Sequence, residues 1–155
     1  MAVDFRSILA PGAMCLGVSP RTSEEVITLL GERLLALGRV RPDYPAALIE
    51  RERTMPTGLP LGAINVAVPH AEPSYVHAPA IALATLTEPV LFGSMDDPDE
   101  KIPVKVVIAL ALNDKNAQIQ MLQAVAGFIQ TPDALAALAA ATTPEEAFAA
   151  LPSGS

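Results

Sequence analysis

Apolar residues recur along this chain with two periods, and the switches between them lay out a fold. Val26, Leu29, Leu30, Leu34 and Leu37 stand at helical spacing, which predicts a helix with one side against a core. Thr22 and Glu25, three apart at its start, make the pattern of a capping box, and Gly38 stands at its natural stop. A second helix is predicted over about 43–53, with Asp43 as its cap. There Ala47, Leu48 and Ile49 turn inward, while Glu50, Arg51, Glu52 and Arg53 reach the surface. After the turn-rich run Met55-Pro56-Thr57-Gly58-Leu59-Pro60 the period drops to two: Ile64, Val66 and Val68 alternate with Asn65 and Ala67, the mark of a strand. Pro69 has no N–H to give a sheet ladder, so the strand ends there and His70 opens a loop.

Further short strands are predicted over 80–86 and 89–92, followed by an exposed acidic loop over 94–101. Residues 104–112 are nearly all apolar and β-branched at the centre, which suits a strand covered on both faces. Asn113 and Asp114 can cap the helix that follows, whose inward stripe is read as Ile119, Leu122, Val125, Ala126 and Ile129. Thr131 or Asp133 starts another short helix. Thr143, Pro144 and Glu146 start a last one, with Thr143 as cap. Helices around a group of strands make an α/β domain: a single-domain α/β sandwich with a central mixed β-sheet flanked by helices. It is expected to span 1–151, with 152–155 a flexible tail.

Composition narrows the class. With 155 residues, 51% of them hydrophobic and 17% charged, the chain has the balance of one folded domain. A formal net charge of −7 argues against a nucleic-acid binder, which would show a basic face. It suggests instead that an acidic surface, centred on residues 96–100, steers in a basic protein partner. The one cysteine, Cys15, cannot form an internal disulfide. The first residues lack a basic start followed by a continuous apolar run, and 103–112 is too short to cross a bilayer. A soluble, cytoplasmic protein is expected.

Candidate chemistry centres on histidine. There are two, His70 and His77. His70 stands behind a proline at a strand end, where α/β proteins place working groups, although a loop histidine with a local hydrogen bond fits the same pattern. His77 suits the start of the next strand. His70, Glu72 and His77 carry no recognised metal spacing, and no cofactor is expected. No GxxxxGK[ST] loop is present, Ser74 and Ser94 lack the surroundings of a nucleophile elbow, and nothing local supports Cys15 as a thiol nucleophile.

One ordered set of residues carries a family likeness. Glu50-Arg51-Glu52, then Pro56-Thr57-Gly58-Leu59, then Val66-Ala67-Val68-Pro69-His70 resembles the enzyme IIA domain of the bacterial phosphotransferase system, in its fructose–mannitol superfamily and within that the galactitol type. Tyr44 to Ile49 before the set, and Pro89-Val90-Leu91-Phe92, Met95-Asp96-Asp97 and 106–112 after it, keep the order, so the likeness covers about 38–132.

The resemblance implies a relay. Phosphate passes from phosphoenolpyruvate through enzyme I and HPr to enzyme IIA, then to a cysteine of enzyme IIB, which serves the membrane subunit enzyme IIC. The histidine of the family's A-[IV]-P-H motif matches His70, with Nε2 as the acceptor atom. Arg51 matches the family's arginine and is the choice for the phosphate-gripping cation; a solvated arginine paired with Glu50 or Glu52 is the other reading. Thr57 either donates a hydroxyl to the phosphoryl group or shapes the turn. Many members carry a second histidine where this chain has Gln118, which can hydrogen-bond but cannot become a cation; the galactitol type resembles this chain there. A regulatory protein of the nitrogen type, phosphorylated on the same histidine, and an interaction module with His70 never modified are the competing functions.

Overall fold

The computed structural model describes residues 8–61 and 64–151. The expected tail, 152–155, lies outside the described residues. The order of elements is β1 (Leu9–Val18), α1 (Ser23–Ala36), α2 (Tyr44–Thr54), β2 (Gly58–Leu59), β3 (Val66–Ala67), a single 3-10 turn (Pro73–Tyr75), β4 (Ala80–Gly93), β5 (Lys101–Ala111), α3 (Lys115–Ile129), α4 (Pro132–Ala140) and α5 (Pro144–Ala150). The strands form one mixed sheet in the order β1-β4-β5-β3-β2. β1 runs parallel to β4, β4 antiparallel to β5, β5 parallel to β3, and β3 antiparallel to β2.

The side-chain alternation of the two long central strands sorts the core into two layers. Ala82 and Ala84 of β4, with Val107, Ala109 and Ala111 of β5, face Val26, Ile27, Leu30 and Leu34 of α1 and Leu48 of α2. Ile81 and Leu83, with Val106, Ile108 and Leu110, face Met121, Val125 and Phe128 of α3 and Leu135 and Leu138 of α4. Small alanines under α1 and α2 let those helices sit close to the sheet, and the large side chains lie under α3 and α4. The expected sandwich around a mixed sheet is therefore the observed one.

Helix α1 starts and stops as its sequence dictates. Glu25 N–H donates to Thr22 Oγ1 at 3.2 Å, while the Glu25 carboxylate accepts from the Arg21 amide, one residue earlier than a reciprocal box requires. At the other end Gly38 takes φ +72°, with Gly38 N–H donating to Leu35 O and Arg39 N–H to Leu34 O, a Schellman closure that the missing Cβ makes cheap.

Four expectations need correction. The two short strands predicted around Pro89 are one strand, β4; a register shift between Thr85 and Val90 takes Pro89 out of the ladder. Asp43 stands at the start of α2 but makes no side-chain cap, pairing instead with Arg41 at 3.4 Å. The stripe on α3 is Met121, Val125, Phe128 and Ile129, with Leu122 half-buried; Ile119 is 54% exposed and Ala126 is exposed. Glu52, placed at the surface by the helical pattern, is buried.

Candidate functional site

His70 is held by its backbone before its side chain does anything. Pro69 O accepts from Leu110 N–H at 2.9 Å, and His70 forms a parallel bridge with Leu110 at the end of β5. Leu110 O in turn accepts from the buried Tyr44 hydroxyl at 2.9 Å, which ties the first turn of α2 to the same point. Because β3 and β5 run parallel, the loop after β3 and the helix after β5 emerge on one side of the sheet. That is where an open α/β sheet offers a crevice.

A pocket of about 320 Å³ occupies this crevice, lined by Arg51, His70, Glu72, Lys115, Gln118 and Ile119 among others. Four elements meet there: the end of α2, the loop carrying His70, the 3-10 turn and the first turn of α3. His70 is half-buried, and its Nδ1 lies 2.9 Å from Val68 O. A carbonyl only accepts, so Nδ1 carries the proton and the lone pair is on Nε2. Burial lowers the His70 pKa first; the Val68 bond and Glu72 push it up and Arg51 pushes it down, with the net direction below the usual imidazole value. The ring is thus neutral near pH 7, with the Nε2 lone pair free.

Arg51 Nη1 donates to Glu72 Oε1 at 2.8 Å, and Arg51 Nε is buried with no acceptor. Neither Glu50 nor Glu52 takes Arg51, contrary to the solvated-pair reading: Glu50 lies 3.9 Å from Arg53, and Glu52 turns the other way. The Glu52 carboxylate accepts from both the amide and the hydroxyl of Thr57 at 2.8 Å, and Thr57 Oγ1 also accepts from Val68 N–H at 3.2 Å. Burial raises the Glu52 pKa against the two Thr57 bonds and the Lys101 charge. Thr57 lies outside the pocket lining, its hydroxyl already used, so the turn-shaping reading is the one its geometry fits. The chain Glu52–Thr57–Val68 ends on the residue whose carbonyl fixes the tautomer of His70.

The structure therefore brings His70, Arg51 and Gln118 to one cavity and leaves Thr57 behind it. His77 is exposed and not part of the cavity lining; its amide donates to Arg39 O. Among the described residues no group of three or more His, Cys, Asp or Glu is arranged to hold a metal ion. Cys15 is buried in β1, and burial pushes its thiol pKa up, away from thiolate chemistry. Lys115 and Ile119 line the cavity without having been among the sequence candidates. Their signal was positional: both fall in the first turns after the long buried strand whose end holds His70.

The acidic loop stands far from His70. The hairpin over 94–101 closes at the pair Gly93 and Lys101, and β5 runs from Lys101 to Leu110, roughly 30 Å at the rise of a strand, before it meets His70.

The family model described as "Phosphoenolpyruvate-dependent sugar phosphotransferase system, EIIA 2" matches residues 8–153. The chain belongs to this enzyme IIA family. It is 38% identical over 117 residues to the galactitol-specific EIIA component of Escherichia coli, covering 76% of this chain and 77% of that one. The crystal structure of the mannitol IIA of Escherichia coli superposes with a TM-score of 0.76 at 27% identity, over 92% of this chain and 98% of that one. The Escherichia coli mannitol enzyme IIA in its complex with phosphorylated enzyme IIB gives a TM-score of 0.76 at 26% identity, over 91% and 94%. An enzyme IIA is a phosphotransferase component, so this chain is a phosphocarrier of the sugar phosphotransferase system. No helix among the described residues is long and apolar enough to cross a membrane.

Proposed function

We propose that His70 Nε2 accepts the phosphoryl group from phospho-HPr in the cytoplasm and passes it to the cysteine of a galactitol-type enzyme IIB. The observation that carries this reading is the 2.9 Å contact between Nδ1 and Val68 O, which leaves Nε2 as the nucleophilic nitrogen of a ring that lines the cavity. Accepting requires the Nε2 lone pair to attack phosphorus in line while the bond from phosphorus to the donor breaks and its electron pair leaves with the donor. The ring then holds Nδ1–H and Nε2–P together and carries positive charge, which Val68 O stabilises by accepting from Nδ1–H. Onward transfer is the reverse: a thiolate attacks phosphorus and the N–P electron pair returns to Nε2. Arg51 grips phosphoryl oxygens and Gln118 donates or accepts a hydrogen bond beside them. The galactitol assignment is supported by the 38% identity and by glutamine at position 118.

Incubation with phosphoenolpyruvate, enzyme I and HPr, followed by mass spectrometry, tests the acceptor. The expected result is an acid-labile, alkali-stable mass gain on the wild-type chain and none on His70→Ala. A label that persists in the variant would move the acceptor to another residue.

A further inference from the structure

The cavity around His70 is short of positive charge by its named members alone. Arg51 Nη1 already donates to Glu72 at 2.8 Å, so that pair brings little net charge, and Gln118 is neutral. A phosphoryl dianion arriving at Nε2 would meet a carboxylate on the rim without a surplus cation to balance it. One cation of the lining is left: Lys115. Among the described residues it makes no ion pair. Its neighbour Asp114 is engaged as the cap of α3, Oδ2 accepting from Ala117 N–H at 2.9 Å.

We infer that Lys115 supplies the second cation of the phosphoryl cradle, from the wall that also carries Gln118. This rests on His70 being the acceptor. The fold delivers the lysine there: His70 is bridged to Leu110, β5 ends at Ala111, and α3 begins at Lys115. The aligned peptides of the fifteen-residue helix add positive potential at the same end. An ammonium on a flexible stem is a point charge with three rotatable donors, so it can follow the phosphoryl oxygens as the group arrives and leaves.

The test is the initial rate of His70 labelling of the full chain by phosphoenolpyruvate, enzyme I and HPr, with variants at position 115 whose thermal midpoints are measured in parallel. Lys115→Arg should keep the rate within a few-fold, Lys115→Met should slow it on the order of tenfold, and Lys115→Glu should slow it further. No midpoint should fall, because Lys115 is exposed and makes no ion pair, and a glutamate at the start of a helix is favoured. A series that ignores charge, with Met and Glu at the wild-type rate or Arg as slow as Met, overturns the inference alone. A wild-type chain that takes no label on His70 overturns the acceptor assignment and this inference with it.

Discussion

Strand β5 joins two ends of the molecule that differ in chemistry. At Leu110 it holds His70 in a parallel bridge, beside a cavity lined by Arg51 and Lys115. At Lys101, roughly 30 Å away, it turns into a hairpin whose loop carries Asp96, Asp97, Asp99 and Glu100, all exposed. The loop is organised locally: Asp99 N–H donates to Asp97 Oδ1 at 3.1 Å and Glu100 N–H to Asp97 O at 2.9 Å. Net charge is a property of the whole chain, but a phosphoryl group meets only the field within about a Debye length, near 8–10 Å at ordinary salt. A molecule of charge −7 can thus present cations where an anion is handled. The difference teaches that the sign of a working site is read from the residues converging on it.

Removing the guanidinium should blunt the contrast most. Arg51→Met is expected to slow phosphorylation of His70 on the order of a hundredfold, the scale of losing one aimed donor from a charge-stabilising site. The loss should deepen at acid pH. Burial and Arg51 together hold the His70 pKa below its usual value, so without Arg51 only burial opposes Glu72 and the Val68 bond, and the ring's pKa rises. The reactive form is the neutral ring, so the acid limb of the rate profile moves to higher pH and the wild-type-to-variant ratio grows from pH 8 to pH 6. A profile with an unshifted limb would remove Arg51 from the electrostatics of the ring.

The next largest effect is on the support behind the site. Glu52→Ala leaves the Thr57 amide and hydroxyl without their buried acceptor, at about 1–3 kcal/mol of stability. Urea unfolding should show a lowered midpoint and a loss of unfolding free energy of that size, and an unchanged midpoint would make the buried carboxylate dispensable. The raised pKa gives a sign as well. Glu52 favours its protonated form in the folded chain, so its titration stabilises most below the unfolded-state value and least above the folded-state one. The wild type should therefore gain on Glu52→Ala as pH falls through that window.

How far such features were legible depends on the range of the interaction that sets them. The limits of α1 follow from Thr22, Glu25 and Gly38, neighbours in sequence that satisfy or release the helix ends themselves. Pro69 marks the strand end less closely: β3 stops at Ala67, and His70 still bridges to Leu110 of β5. β1 carries Pro11 and Gly12 within its span and shows no clean alternation; it is a strand because it adds to the edge of a sheet that β4 already forms. Glu52 reads as a surface residue because a carboxylate at that helical position usually is one, and only the folding back of Thr57 gives it partners. Lys115 and Ile119 were hidden for the same reason: the parallel pairing of β3 with β5 brings residues 45 and more positions apart to one cavity.

The smallest expected effect tests the far end. Replacing Asp96, Asp97, Asp99 and Glu100 with Asn, Asn, Asn and Gln changes the formal net charge from −7 to −3, by removing four acids of one loop. The loop is nearly four Debye lengths from His70 at physiological salt, so its direct effect on the ring is screened away. If the donor docks over the cavity, the labelling rate of the variant should stay within about twofold of wild type at ordinary ionic strength, and both chains should lose rate in parallel as salt rises. A steered encounter would behave otherwise: neutralising four charges would lower the rate severalfold at low salt, and the two chains would converge at high salt. That outcome would mean the partner spans both ends of β5, and the separation between them would describe one interface.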